Sequence, residues 1–379
     1  MRIGLEVTAA VRQRGGIGRY VRELLRALAA LDSENEYSLF FAADNRGAGA
    51  LPALPANFRA RRLPFHDIWL ARVWQRLRVP LPVELITGRV DVYHSPDFTL
   101  PPTLGRTPTL LTVHDLSFAR HPSSAAPGLR GYLDVVVPRS VRCATHVLAD
   151  SQATKDDLMA LYGTPAEKIS VLYAGVAAGF RPVDDPGVHA AVRGRYGLGE
   201  RPYVLSIGTL QPRKNHARLI EAFDRVLRDS EYNLVLAGGE GWLYDEVHAQ
   251  VAARGLPERV FFPGFVAEDD LPALYSAAAI MAFPSLYEGF GLPVLEAMAC
   301  GAPVLASTAP CLPEVAGDAA LLIDPRDVGA MAAAIEKLVN QPELRHVLRA
   351  KGLVRAAQFR WENSAADLLR IYREIGEHP

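Results

Sequence analysis

The chain has 379 residues, of which 49% are hydrophobic and 22% are charged. This balance excludes a disordered chain, and the length predicts two domains. No apolar run approaches the roughly 20 residues that cross a bilayer, and Glu6 interrupts the first apolar run too early for a signal peptide. Three cysteines, Cys143, Cys300 and Cys311, fit neither a zinc pattern nor a disulfide framework, which indicates reduced thiols in a cytosolic protein.

The net charge of −1 conceals an uneven distribution. Residues 1–149 carry 19 Lys/Arg against 12 Asp/Glu, and the remaining residues carry 22 against 30. A basic N-terminal half indicates an anionic partner, such as a phosphorylated acceptor, a lipid pyrophosphate or a membrane surface. Ordinary scatter of surface charge explains the same numbers equally well.

Apolar runs alternate with helical patterns along the first half, which predicts parallel sheets built from βαβ units. We predict an amphipathic helix at 17–31 that carries Tyr20, Leu24, Leu25, Leu28 and Leu31 on one stripe. The predicted strands are 2–7, 37–42, 91–94, 109–113, 145–149 and 169–172.

A glycine-rich loop at residues 15–20 leads into this first helix. Its backbone N–H groups and the helix dipole suit an anion near Gly16. A nicotinamide fingerprint is the alternative, with Asp44 as its ribose-binding acid. The spacing G-G-x-G and the long loop at 8–14 disfavour that alternative.

Two further features of the first half are candidates for ligand contact. His114 ends a predicted strand, where an imidazole could bind a sugar hydroxyl or the acceptor, and His94 has a weaker case of the same kind. Residues 69–78 are basic and aromatic and could touch lipid headgroups. A surface helix with Trp69 and Trp74 packed inward is the favoured interpretation of that segment.

The proline-rich and acidic residues 180–187 predict a linker, after which the βα rhythm restarts. We predict two doubly wound α/β domains that face each other across a cleft, 1–180 and 181–360, with a helical tail at 361–379. The predicted strands are 203–208, 233–237, 259–262, 279–283, 303–306 and 320–323, and the predicted helices are 215–229, 327–340 and 361–376.

Residues 208–215 lie between a strand and a helix, where a cation would meet a diphosphate. Lys214 is a compact charge that suits phosphate, and Arg213 could add a bidentate contact. A fixed cation there would stabilise the charge that grows on a leaving diphosphate. A solvated Arg-Lys pair at a helix start is the alternative interpretation.

Residues 288–296 set two carboxylates eight positions apart around a glycine-rich turn that follows a buried strand. With Pro293 as the first helical residue, Glu288 would lie in the loop and Glu296 in the first helical turn. Both carboxylates would face a crevice beside free N–H groups, which suits phosphate and the hydroxyls of a sugar or ribose. The pattern predicts a nucleotide-sugar site.

Together these segments resemble glycosyltransferase family 4, the retaining, nucleotide-sugar-dependent enzymes with the two-domain GT-B fold. The resemblance rests on residues 15–18, His114-Asp115, residues 208–214, 288–296 and 312–317. It is strongest to bacterial mannosyltransferases of polysaccharide assembly. It implies that the tail helix packs back onto the N-terminal domain, and that no bound metal or other cofactor is needed.

The resemblance also implies roles for individual residues. Glu288 would contact the donor-sugar hydroxyls, Glu296 the ribose and Lys214 the diphosphate. His114 would lie by the reacting sugar, and Gly16 near the donor phosphates or the acceptor. The remaining donor-binding positions are Gly208, Arg213, Phe290, Gly291 and Leu292.

The chain departs from the family pattern at two positions. Thr209 stands where many members have Arg, so that Arg213 would have to supply the missing cation. Ala177 stands where many members have Asp.

We therefore expect a cytoplasmic, metal-independent hexosyltransferase that contacts the inner face of the membrane peripherally and binds no nucleic acid. It would move mannose from GDP-mannose to a glycan or a lipid-linked acceptor. The alternatives are a UDP-hexose donor, a nucleotide-sugar hydrolase or epimerase on the same fold, or a non-catalytic binding protein. The base, the sugar, the acceptor, the linkage and the oligomeric state stay open.

Overall fold

A computed structural model describes residues 1–13, 15–42 and 51–377. Asp44 therefore lies outside the described residues. The chain forms two compact units: the first contains Met1–Leu116, Gly128–Gly175 and Arg360–Pro379, and the second contains Ser117–Pro127 and Val176–Phe359.

Each unit is built on one parallel sheet, and hydrophobic strands buried on both faces are typical of such sheets. The strands are β1 Arg2–Glu6, β2 Glu36–Ala42, β3 Phe58–Leu63, β4 Val92–Ser95, β5 Thr109–Val113, β6 His146–Ala149, β7 Ile169–Val171, β8 Tyr203–Ile207, β9 Asn233–Ala237, β10 Val260–Gly264, β11 Ile280–Phe283, β12 Val304–Ser307 and β13 Ala320–Ile323. The first sheet has the order β3-β2-β1-β4-β5-β6-β7, and the second has the order β10-β9-β8-β11-β12-β13.

Helices surround the two sheets. They are α1 Thr8–Arg12, α2 Gly16–Leu31, α3 Asp67–Leu70, α4 Glu84–Thr87, α5 Ser117–Arg120, α6 Pro127–Cys143, α7 Gln152–Tyr162, α8 Pro186–Arg195, α9 His216–Leu227, α10 Asp245–Ala253, α11 Leu271–Ser276, α12 Leu292–Ala299, α13 Leu312–Ala316, α14 Val328–Asn340, α15 Pro342–Ala356 and α16 Trp361–Glu377. Among the described residues, no helix combines the length and the apolar character that crossing a bilayer requires.

All the predicted strands are present, but β3 was not predicted. This strand pairs only with β2 at the edge of the first sheet. Its four middle residues, including Arg59, Arg61 and Arg62, are exposed, and only Phe58 and Leu63 are buried. Because an exposed edge strand needs no apolar alternation, its sequence carries no strand pattern.

Helix α2 buries Tyr20, Leu24, Leu25 and Leu28 as predicted, whereas Leu31 is half exposed at the helix end. It packs against α16, whose own buried face includes Tyr372. The tail helix is thus part of the first unit.

Residues 8–12, which we expected to be a loop, form helix α1. Gly18 allows α1 and α2 to approach closely, because a Cβ at Gly18 would lie 1.9 Å from the carbonyl oxygen of Gln13. The glycine pattern of this loop therefore has a packing role.

Residues 67–76 form α3 and then a π-helical turn, Ala71–Arg76. Trp74 is buried as expected, and its indole N–H donates to the carbonyl of Leu81 at 2.9 Å. Trp69 is 56% exposed, so the expectation that both tryptophans pack inward is wrong for Trp69. Residues five positions apart lie about 140° apart around an α-helix, so Trp69 and Trp74 do not share one face.

The break between the units falls at Gly175, five residues before the predicted boundary. A Cβ at Gly175 would lie 2.2 Å from the backbone nitrogen of Trp361, so glycine permits this crossing of two chain segments. The predicted linker begins inside the second unit, where Phe180 is buried against Tyr275.

Candidate functional site

The loops that follow β8 and β11 lie side by side at the centre of the second sheet. The chain runs outward from β8 through β9 to β10, and then from β11 through β12 to β13 on the other side. The strand order therefore reverses between β8 and β11, and ligands of doubly wound sheets bind beyond the carboxyl ends of the strands at such a point. Both segments that the sequence singled out in this half begin here.

The loop after β8 is shaped around the side chain of Lys214. A Cβ at Gly208 would lie 3.0 Å from the Lys214 Cε, so the glycine leaves room for the lysine to fold back over the strand end. The Lys214 Nζ lies 4.7 Å from the centre of the Phe283 ring, close enough for a cation–π contact. Lys214 is consequently only 9% exposed.

Backbone and amide hydrogen bonds fix this loop against the end of β11. Lys214 ends a short 3₁₀ turn, and Asn215 follows in the left-handed conformation with φ 63°. The Asn215 side-chain amide donates to the carbonyls of Pro284 at 3.0 Å and Pro325 at 2.7 Å. The conformation of the cationic loop is thus set by buried contacts.

Glu288 joins the two cations of this loop. Its Oε1 accepts from the Lys214 Nζ at 2.6 Å, and its Oε2 accepts from the Arg213 Nη1 at 2.8 Å. Arg213 also donates to the carbonyl of Tyr287 at 2.6 Å. The residues that the sequence assigned to diphosphate and sugar therefore form one cluster of two cations and one carboxylate, in which Lys214 and Glu288 are buried and Arg213 is half-buried.

The charge state of Glu288 follows from this cluster. Burial by itself would raise the pKa of Glu288, but the charges of Arg213 and Lys214, together with the hydrogen bond from Lys214, lower it to about 2. Glu288 is thus a carboxylate at neutral pH, and the cluster has a net charge of +1. Two cations fixed beside one carboxylate are suited to an anion.

The turn after Glu288 requires its glycine. Gly291 has φ 97°, and a Cβ there would lie 2.5 Å from the Leu312 Cδ2. Phe290 is buried, with its ring centre 5.9 Å from that of Phe359. Leu292 is half-buried and begins α12.

Helix α12 starts one residue earlier than predicted, because Gly291 is its left-handed N-cap. Pro293 is therefore the second helical residue, and the placement of Glu296 in the first turn is wrong: it is the fifth residue, in the second turn. Glu296 is 2% exposed, and its Oε2 accepts from the Tyr275 hydroxyl at 3.0 Å. That hydrogen bond fixes the orientation of the Glu296 carboxylate.

In the first unit, His114 pairs with Asp150, which the sequence analysis did not single out. The two residues directly follow β5 and β6, whose last residues, Val113 and Ala149, are register partners. The His114 Nδ1 lies 2.8 Å from the Asp150 Oδ2, and the Nε2 lies 2.9 Å from the carbonyl oxygen of Pro96. Equal positions at the ends of two neighbouring strands are the signal that could have identified Asp150.

Both ring nitrogens of His114 therefore face oxygen acceptors. Burial lowers the pKa of His114, but the charge and hydrogen bond of Asp150 outweigh it and raise the pKa to about 9. His114 is thus a buried imidazolium whose two N–H groups are already bonded within the unit. His114 would therefore act on a nearby ligand through its positive charge.

His94 and Gly16 have different surroundings. His94 is fully buried between the hydroxyls of Tyr372 and Thr112, and burial lowers its pKa to about 3, so it is a neutral core residue. Gly16 is exposed at the start of α2, and a Cβ there would meet nothing within 4 Å. Its predicted phosphate or acceptor contact stays a prediction.

Potential metal ligands do not converge in the described part of the chain: no group of three or more His, Cys, Asp or Glu side chains could hold a metal ion there. The three cysteines are free thiols, and the Cys311 Sγ donates to the carbonyl of Phe290 at 3.3 Å.

Known proteins resemble this chain in sequence and fold. Residues 14–179 match the family described as Glycosyltransferase Family 4, and residues 191–354 match the family described as Glycosyl transferases group 1. O-antigen chain mannosyltransferase B of Escherichia coli is 34% identical over 373 residues, which cover 94% of this chain and 96% of that protein.

Solved structures share the fold of the whole chain. The sucrose-phosphate synthase of Thermosynechococcus elongatus has a TM-score of 0.77 at 23% identity, with 100% of both chains covered. HepE of Anabaena, in complex with UDP and glucose, has a TM-score of 0.76 at 21% identity, with 99% of this chain and 100% of that chain covered. This chain therefore belongs to glycosyltransferase family 4, has the GT-B fold and is a glycosyltransferase.

Proposed function

We propose that this glycosyltransferase moves mannose from GDP-mannose, with retention, to a glycan or a lipid-linked acceptor during polysaccharide assembly. The observation that carries the proposal is the buried cluster of Arg213, Lys214 and Glu288 where the strand order of the second sheet reverses. The choice of mannose is supported by the similarity to a mannosyltransferase of O-antigen chains.

Lys214 and Arg213 would bind the diphosphate of the donor. As the glycosidic bond breaks, negative charge grows on the departing phosphate, and cations already fixed in place stabilise that charge without reorganising. Glu288 holds both cations and removes one of their two charges. The remaining positive charge attracts the diphosphate without leaving two unpaired cations buried in the unit.

The carboxylates would orient the rest of the donor. Glu288 can accept hydrogen bonds from sugar hydroxyls while it keeps its cations, because an ionised carboxylate has about four acceptor positions. Glu296 would bind the ribose, with Tyr275 holding its orientation. Backbone groups of Gly208 and of residues 290–292 would line the donor.

The first unit would hold the acceptor, with Gly16 near the phosphates and the imidazolium of His114 near the reacting sugar. Retention would proceed through a short-lived oxocarbenium-like ion pair. In that step the bond from the anomeric carbon to the phosphate oxygen breaks, the leaving phosphate accepts the proton of the acceptor hydroxyl, and the hydroxyl oxygen bonds the same face. Charge stabilisation by Arg213, Lys214 and the dipole of α12 makes an obligatory metal unnecessary.

A UDP-hexose donor is the second candidate, since HepE of Anabaena was solved with UDP and also with UDP-glucose. Arg213 and Lys214 would contact the diphosphate, which GDP- and UDP-sugars share. Hydrolysis or epimerisation of a nucleotide sugar on the same fold would use the same cation cluster. These reactions differ from transfer in whether a second sugar must be present.

The test is a product assay with GDP-mannose, UDP-glucose and UDP-galactose, each with and without EDTA. The acceptors are alkyl glycosides that end in mannose, galactose or N-acetylglucosamine. We expect a new α-linked mannoside from GDP-mannose, identified by NMR, that forms equally well in EDTA. Transfer from a UDP-hexose alone would replace the donor, release of free sugar without acceptor would indicate a hydrolase, and loss of transfer in EDTA would contradict metal independence.

A further inference from the structure

An apolar cavity of about 450 Å³ opens in the first unit. Part of its lining comes from the basic and aromatic segment at residues 69–78. Its lining consists of Phe65, Trp69, Leu70, Val73, Trp74, Leu81, Pro82, Leu85 and Ile86. The volume falls in the range of small-molecule sites, but every lining side chain is apolar, so the cavity offers no polar group to orient a sugar.

Large apolar side chains around this cavity are exposed. Trp69 is 56% exposed, Leu77 70% and Leu85 68%, and Ile68 and Leu81 are also exposed. Such side chains concentrated within about twenty residues form a patch, and exposed apolar patches mark protein or membrane contacts.

Arginines border the same patch. Arg59, Arg61 and Arg62 are exposed on the edge strand β3, and the Arg61 Nη1 lies 3.4 Å from the carbonyl oxygen of the lining residue Ile86. Three further arginines, Arg72, Arg76 and Arg78, are exposed within the segment that carries Trp69.

Arginines outnumber acids in this region. Residues 58–89 contain seven arginines and two acids, a net charge of +5. Of the two acids, Glu84 is buried and accepts from Thr107 and the backbone of Leu104, and Asp67 lies 3.6 Å from Arg12. The surface formed by residues 58–89 is thus apolar at its centre and positively charged at its rim.

We propose that the 58–89 surface docks on an anionic lipid bilayer. Trp69, Leu77 and Leu85 would insert at the level of the headgroups, with an acyl chain entering the cavity, and the arginines would bind headgroup phosphates. Arginine and tryptophan side chains both favour the membrane–water interface. Apolar side chains that insert, combined with a basic patch, give stable attachment to a membrane. The charge selects an anionic bilayer as the occupant. Docking itself does not depend on the proposed function. Only the idea that docking brings a lipid-linked acceptor within reach rests on it.

The test is co-sedimentation of the whole chain with vesicles of equal parts phosphatidylglycerol and phosphatidylcholine, and with vesicles of phosphatidylcholine alone. We expect binding to the anionic vesicles, weakened by salt, and at least tenfold weaker binding to the neutral ones. Replacing Arg59, Arg61 and Arg62 with Gln removes three charges and is expected to weaken partitioning by about a hundredfold. The double variant Trp69→Glu/Leu85→Glu should lose binding.

Two controls separate docking from misfolding. The matched variant Leu243→Glu/Val354→Glu places the same charges on exposed apolar positions of the second unit and should bind vesicles like the wild type. Trp69→Phe should still bind but lose the blue shift of tryptophan emission, because Trp69 is exposed in the docking surface, whereas Trp74 and Trp361 are buried and the half-buried Trp242 lies in the second unit.

Equal binding to neutral and anionic vesicles, or unchanged binding of the Trp69→Glu/Leu85→Glu variant, would overturn the docking proposal. Nucleoside diphosphate affinity, measured on the same variants, should equal that of the wild type. That readout keeps a failure of docking distinct from a failure of the proposed function, because Arg213, Lys214 and Glu288 lie in the second unit.

Discussion

The Lys214 Nζ lies 2.6 Å from the Glu288 Oε1, although 74 residues separate them in the chain. The lysine belongs to the loop after β8 and the glutamate to the loop after β11, and these strands are neighbours in the second sheet. Under the proposed function, this contact would join the lysine that binds the diphosphate and the glutamate that orients the sugar in one ion-paired group.

Replacing Lys214 with Met should weaken the binding of nucleoside diphosphate and destabilise the second unit. Methionine keeps much of the apolar contact over Phe283 but leaves Glu288 with Arg213 as its remaining cation. Breaking a buried ion pair costs about 3–5 kcal/mol, and we expect the lower end here because Arg213 remains. Calorimetric titration and chemical denaturation measure the two effects, with the exposed Lys337→Met as control. An unchanged affinity would remove Lys214 from the phosphate site.

Replacing Glu288 with Gln should nearly abolish transfer while nucleoside diphosphate binds as tightly as before, or more tightly. The amide keeps the size of the side chain but no longer neutralises Arg213 and Lys214, so a diphosphate meets less competition for them. Transfer near the wild-type rate would show that the carboxylate has no part in the reaction.

The same variant has a distinct stability profile against pH. Because the pKa of Glu288 is lowered from 4.5 to about 2, its stabilising contribution is fully present above pH 4.5 and is lost as pH falls through 2. The difference in the free energy of unfolding between wild type and Glu288→Gln should therefore be larger at pH 7 than at pH 3. A difference that does not change between these two pH values would contradict the ion-pair assignment.

Replacing Asp150 with Asn should remove the loss of folding stability that the wild type shows as pH rises above neutral. The pKa of His114 is raised from 6.5 to about 9, so its contribution is fully present below pH 6.5 and is lost as pH rises through 9. A shift of this size corresponds to about 3 kcal/mol. Unfolding free energies at pH 6 and pH 9.5 test this, with the exposed Asp134→Asn as control. Wild-type stability that is equal at both pH values would show that His114 is neutral.

Two alanine substitutions near the start of α2 should behave oppositely. A Cβ at Gly18 would lie 1.9 Å from the carbonyl oxygen of Gln13, whereas a Cβ at Gly16 would meet nothing within 4 Å. Gly18→Ala should therefore lower stability by at least about 1–3 kcal/mol, and Gly16→Ala should leave the Tm unchanged. Thermal unfolding of both variants measures the difference. A stable Gly18→Ala variant would contradict the close packing of α1 and α2.

The sequence was sufficient for the buried parallel strands, because a strand such as Ile280–Phe283 is apolar throughout and ends before a proline. It was insufficient for β3, whose exposed arginines carry no alternation. It also misplaced the start of α12 by one residue, which moves Glu296 from the first helical turn into the second, because the conformation of Gly291 decides where the helix begins. The local sequence pattern thus predicts buried strands well. It predicts edge strands and the exact ends of helices less well.

Candidate site residues could be proposed from the sequence, but the contacts that these residues make could not. Lys214 and Glu288 were each singled out from their own segment, yet their ion pair depends on the order of strands in the sheet. His114 was singled out for contact with a sugar hydroxyl or the acceptor, which stays a prediction, but its bonds to Asp150 and Pro96 were not predicted. Pairings across a sheet follow from topology, which a single sequence does not encode locally.

The central claim is that the Arg213–Lys214–Glu288 cluster binds the diphosphate of a nucleotide-sugar donor. The most direct measurement is a calorimetric titration of the wild type and of Lys214→Met with GDP, UDP, ADP and dTDP. We predict tight binding of GDP by the wild type, in preference to the other three, and at least tenfold weaker binding by Lys214→Met. Wild-type protein that binds none of the four, or a variant that binds GDP as tightly as the wild type, would contradict the claim.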